Sequence, residues 1–189
     1  MATLLQLTDQ PSSVFNLDKS LQAVLYVANK LNRKDFHKIF KVLYFADMEH
    51  LSDYGRPITG DTYIAMENGP VPSKIYSIFQ TVRGDGSQTK GRDLFIQLFT
   101  VKDNYFIEPL RKADTSVLSE SDTEALDNAL TKYGNLSWVD IRDKSHGHAW
   151  NATERNKAIS IEDILQEKGD DAGYISYVIE QTKLAQSLV

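Results

Sequence analysis

The chain has 189 residues, 25% of them charged, and acids exceed bases for a formal charge of −5; that length suits one domain rather than several. Cysteine is absent, which excludes disulfides, thiolate metal sites and cysteine nucleophiles. No leader with a basic start and an apolar run opens the sequence, and no stretch nears the roughly 20 apolar residues of a membrane span, so a cytoplasmic protein with no membrane partner is expected.

Leu17, Leu21, Val24, Leu25, Ala28 and Leu31 recur at helical spacing, with Asn16 placed to cap the helix. From Asp35 to about Asp53 the apolar residues cover most of the circumference, which marks a central buried helix whose narrow wet side carries Lys38, Lys41, Asp47 and Glu49. Gly55 suits the left-handed turn that ends it. Arg56 to Asp61 reads as an irregular turn and Thr62 to Met66 as a short extended piece. Glu67-Asn68-Gly69-Pro70 is a turn, and Pro72 suits the first turn of a helix carrying Ile75, Ile78, Phe79 and Val82.

Ser87 to Asp93 reads as an exposed polar loop, followed by a hairpin with strands Leu94–Thr100 and Tyr105–Ile107, the clearest sheet in the chain. Three Ser-x-x-Asp pairs, Ser119/Asp122, Ser137/Asp140 and Ser160/Asp163, announce helix starts. A last helix from about Asp171 places Tyr174, Ile175, Val178 and Ile179 on one face. The expected fold is mainly α with a small antiparallel β-hairpin: one domain over 1–189, a core over about 17–152 and a helical extension over 160–187.

Chemistry-bearing patterns are sparse. His146-Gly147-His148, with His37 or His50, lacks the ligand spacing of a zinc helix. No serine sits in a nucleophile elbow, and no phosphate loop is present. Arg33, Lys34, Lys38 and Lys41 make a modest basic cluster, read as a solvated helix start because Phe36 to Leu51 is too apolar for a major-groove helix. Nucleic acid is therefore not an expected partner, and neither a cofactor nor catalysis is expected. The unusual stretch runs from Leu43 to Pro72, where the buried helix enters a turn fixed by Gly and Pro that carries Arg56, Asp61, Tyr63 and Asn68. Such loops are favoured binding surfaces; the alternative is that Arg56 and Asp61 merely pair with each other.

Lys41–Asp47 (KVLYFAD), Tyr54–Asp61 (YGRPITGD) and Tyr63–Ser73 (YIAMENGPVPS) follow one another in a fixed order. With Leu118-Ser119, Tyr133–Ser137 and the Ser145–Trp150 element, they give the chain a resemblance to the Panacea, or SocA-like antitoxin, domain. The resemblance covers about Leu17 to Ala152. It implies a bacterial or phage antitoxin that neutralises a cognate toxin, typically encoded beside it, by direct protein–protein contact. One branch of the family presents its toxin to an ATP-dependent protease. Residues expected to bind the toxin or shape that interface are Tyr44, Arg56, Asp61, Tyr63, Asn68, Gly69, Pro70, Pro72 and Trp150, with Gly69, Pro70 and Pro72 shaping the backbone. A hydrolase sited near His146, His148 and Trp150, or a DNA-binding autorepressor, are the alternatives.

Overall fold

The structure, a computed structural model, describes residues 14–85 and 90–187. Among the described residues it holds nine α-helices and two two-stranded antiparallel sheets, the mainly α fold with small β elements that the sequence implies. Helix α1 (Leu17–Lys30) starts where the Asn16 side chain accepts the Lys19 N–H at 3.0 Å, and it buries Leu21, Val24, Leu25 and Ala28. Helix α2 (Phe36–Tyr54) starts at Asp35, which accepts the Lys38 N–H at 3.0 Å, and stops at Gly55 with φ of 69°.

Helices α1, α5 (Glu120–Tyr133), α6 (Trp138–Lys144) and α8 (Ile161–Lys168) all pack against α2, so it is the central element. Its expected wet side is not wet. Lys38, Lys41 and Asp47 are buried, and Glu49 alone of the four is partly exposed. The basic cluster is accordingly no solvated helix start: Lys38 and Lys41 lie inside, while Arg33 pairs with Asp35 at 2.5 Å.

Strands β1 (Tyr63–Met66) and β2 (Gly69–Pro72) form a hairpin, where the sequence suggests one extended piece at Thr62–Met66 followed by a turn. Two prolines in one strand argue against a ladder. Here they fit, because the Ser73 N–H bonds to the Thr62 carbonyl at 2.9 Å, and period two then puts Pro70 and Pro72 where an N–H would face away from β1. The outer edge of β1 is closed by a loop near its sequence-distant partner: the Ala65 N–H donates to the Lys157 carbonyl, and the Asn156 and Ile159 N–H groups donate to Ala65 and Tyr63 carbonyls, at 2.8–2.9 Å.

Helix α3 (Ser73–Arg83) follows directly, with Ile75, Ile78 and Phe79 buried as expected, and ends at Gly84. Pro72 is the residue before its first turn, not within it. The expected loop from Ser87 lies partly outside the described residues. The strand expected from Leu94 is instead helix α4 (Arg92–Leu98), and β3 begins only at Phe99, running to Lys102 and pairing with β4 (Phe106–Pro109). Phe95 and Leu98 are buried while Leu94 and Ile96 are exposed, a spacing of three that a strand cannot supply. Tertiary packing overrides the strand preference of these side chains. The outer edge of β4 is covered by the α1–α2 loop, through Phe36 N–H to Tyr105 and Ile107 N–H to Lys34, both at 2.8 Å.

All three Ser-x-x-Asp pairs cap helices as expected, at α5, α6 and α8, and Ser119 with Asp122 forms the full reciprocal box. Short helix α7 (His148–Ala152) packs on α8, and α9 (Ala172–Ser187) packs on α8 in turn. One hydrophobic cluster joins Leu21 in α1 to Val178 in α9.

Candidate functional site

A three-residue spacing runs through α2: Lys38, Lys41, Tyr44, Asp47 and His50 are all buried in an otherwise apolar helix. A step of three turns each successive side chain by about 60° around the axis, so the ladder reaches several neighbouring elements. Lys38 donates to the carbonyls of Leu136 and Tyr133 before α6. The Lys41 ammonium donates to the Pro70 carbonyl of β2 at 2.8 Å. Asp47 accepts the Ile58 and Thr59 N–H groups at 2.8 and 3.0 Å, the Thr59 hydroxyl, and the Tyr63 hydroxyl at 2.8 Å. His50 Nδ1 lies 2.7 Å from the Arg56 carbonyl and so carries a proton, and Nε2 lies 3.0 Å from the Ser121 hydroxyl and 3.2 Å from the Asp122 carboxylate.

Electrostatics separate the members of the ladder. Burial pushes the Lys41 ammonium down to about 7, since no carboxylate among the described residues pairs with it. Burial also raises the Asp47 carboxyl, opposed by the four donors that favour its charged form. Burial lifts the Tyr44 and Tyr63 phenols well above their ordinary value. The Tyr44 hydroxyl has no hydrogen-bond partner in the described structure.

Six of the expected site residues, Tyr44, Asp61, Tyr63, Gly69, Pro70 and Pro72, are buried. Asp61 does not pair with Arg56. It accepts the Lys74 and Ile75 N–H groups at 3.0 and 2.8 Å and the Ser73 hydroxyl at 3.1 Å, capping α3 from a distance of twelve residues. Burial raises its carboxyl to about 6 against those donors. Arg56 is exposed and bonds instead to Asp122 at 3.1 Å, beside the Lys19–Asp122 pair at 2.5 Å. Burial would raise the Asp122 carboxyl, but the Lys19 ammonium and the Ser119 donors hold it down to about 2.

Gly69 has φ of 96°, and a Cβ there would meet Ser145 Oγ at 2.4 Å and Lys41 Cε at 2.7 Å. Three motif blocks thus meet at one glycine. Trp150 is half-buried, donates from Nε1 to the Met66 carbonyl at 2.9 Å, and stacks on His146 with ring centroids 3.7 Å apart. Asn68, at the hairpin tip, is exposed. The sequence reading overlooked Lys41, Asp47 and His50 as organisers of this region; their spacing of three inside an apolar helix was the available signal.

Above the ladder lies an open cleft of about 480 Å³, lined by His37, Lys41 and Asn68 and walled by Phe36, Phe40, Val71 and Tyr76. Arg155 and Glu67, paired at 2.7 Å, line both this cleft and a smaller one beside Trp150. Arg56 lines a different cleft with Lys19, Gly60 and Gln181, so the expected site residues do not converge on one surface. No group of three or more potential metal ligands comes together among the described residues. The arrangement offers a rigid polar-locked scaffold beneath an aromatic, cation-bearing cleft, the form of a recognition surface.

Residues 39–151 match the family model described as antitoxin SocA-like, Panacea domain. The chain belongs to that family. No curated protein and no solved structure matched. The matched span contains the α2 ladder from Ile39 onward, the β1–β2 hairpin and Trp150.

Proposed function

We propose that this chain is an antitoxin that neutralises a cognate toxin, encoded by an adjacent gene, through direct protein–protein contact in the cytoplasm. Membership of the SocA-like antitoxin family over residues 39–151 is the observation that carries the reading. Neutralisation requires complementarity of shape and charge and no catalytic group. The contact surface centres on the cleft and hairpin tip around Asn68, Arg155 and Trp150, where aromatic and cationic groups are accessible. Tyr44, Asp61, Tyr63, Gly69, Pro70 and Pro72 hold that surface in shape from beneath, and Arg56 belongs to the turn that braces it.

Co-expression with the neighbouring reading frame tests this. The neighbour's product should arrest growth alone, and this chain should restore growth and co-purify with it. Absence of both rescue and complex would sink the proposal. Rescue repeated in cells lacking ATP-dependent proteases separates occlusion of the toxin, which persists there, from its presentation for degradation, which does not.

A further inference from the structure

Lys41 is 1% exposed, and its single hydrogen-bond acceptor is the neutral Pro70 carbonyl. A buried ammonium without a counter-charge is costly, and a carboxylate brought to it would offset that cost. The neighbouring His37 is half-buried, with its ring nitrogens shut from solvent beside the Asn68 backbone and its ring stacked on Trp138 with centroids 4.5 Å apart. Burial and the Lys41 charge hold that imidazole down to about 4, so it stands neutral with one N–H to give. Both side chains line the same cleft, so two nitrogen donors without a carboxylate share one opening.

The cations at the rim are in a different state. Arg155 is matched by Glu67 at 2.7 Å, and Arg83 by Asp85 and the Asn104 carbonyl, each at 2.6 Å. Lys41 is therefore the one cation of the cleft whose charge lacks a carboxylate among the described residues. Around it the walls are aromatic: Tyr76 stands edge-on to Phe36 and Phe40, with centroids 6.2 and 5.9 Å apart. A space of about 480 Å³ holds two or three side chains.

We propose that Lys41 and His37 form a carboxylate-accepting subsite at the base of this cleft, and that its occupant is a short acidic–aromatic segment of the protein partner. The carboxylate meets the Lys41 ammonium and the His37 N–H, and the adjoining aromatic side chain lies between Phe36, Phe40 and Tyr76. This deepens the antitoxin reading and rests on it for the identity of the partner as a toxin.

The test is a titration of the full chain, carrying 13C-labelled lysine and 15N-labelled histidine, followed by NMR. The probes are the capped dipeptide Ac-Phe-Asp-NH2, its Asn counterpart and inorganic phosphate. The acidic dipeptide should shift the Lys41 ε-carbon and His37 ring signals saturably, with at least tenfold weaker binding of the Asn form. Lys41→Met should abolish the response. Tyr76→Asp, which leaves the Lys41 contact with β2 untouched, should weaken it at least tenfold in a chain whose amide spectrum remains folded. A saturable response to phosphate but not to the dipeptide would overturn the peptide occupant, and no response to any probe would overturn the subsite. Because no toxin is present, failure here leaves the antitoxin reading standing. Failed rescue with intact dipeptide binding would strike that reading instead.

Discussion

Lys41 makes the stability of the free protein depend on pH in an unusual direction. The unfolded lysine titrates near 10.5, while burial brings the folded one to about 7. Between those values the unfolded chain binds the extra proton, so the Lys41 contribution stabilises the fold as pH rises from about 7 to about 10. Below 7 the whole penalty of the buried charge applies. Urea unfolding at pH 6.5 and 9.5 should show Lys41→Met gaining on the parent at the lower pH, with the difference shrinking by a few kcal/mol at the higher. Asp122 acts in the same sense in a lower pH window. Its carboxyl is held to about 2, so its stabilisation is full above about 4 and fades as pH falls toward 2, about 2 kcal/mol in all. Asp122→Asn should flatten that part of the acid-unfolding curve. At Gly69, alanine meets both a left-handed backbone and the Ser145 and Lys41 side chains, so Gly69→Ala should lower stability by at least about 2 kcal/mol in urea.

At the scale of elements, short-range signals were readable and long-range ones were not. The caps at Asn16, Ser119, Ser137 and Ser160 involve partners three residues away, so the sequence announces them. Helix α3 instead takes its cap from Asp61, whose contacts cross the entire β1–β2 hairpin. Nothing local marks it. Asp61→Ala should leave the Lys74 and Ile75 N–H groups unmatched, cost about 1–2 kcal/mol, and speed hydrogen exchange at those two amides above that of the α1 core. The α2 ladder was misread for a related reason. Charged residues are assigned to water by type, whereas Lys41 and Asp47 bond to backbone groups brought in by remote segments. In α4 the side chains favour a strand, and only the positions of their packing partners decide for a helix.

For the molecule as a whole, the family resemblance and the mainly α fold were legible, but the geometry of recognition was not. The motif blocks are adjacent in sequence and were expected to present one loop; folded, they turn most of their side chains toward one another. On the proposed reading the motif supplies mainly a scaffold, and the accessible residues around Asn68, Arg155 and Trp150 supply the contact. His146 and His148 illustrate the division. His146 spends its face on Trp150, and His148 is exposed 3.9 Å from Asp163. Alanine at both histidines should leave toxin rescue intact in the growth assay if neutralisation is by contact, whereas a hydrolase sited there would lose it.

The loop at Asn156–Ile159 that closes the edge of β1 has a consequence in time. A ribosome adding roughly 5–20 residues each second reaches that loop about 5–20 s after it has finished β1. Throughout that interval the strand has an open side, with Tyr63 and Ala65 offering backbone groups to any extended peptide nearby. The nascent chain thus carries an unpaired edge for seconds before it is sealed, and a chaperone or another extended peptide has that long to reach it.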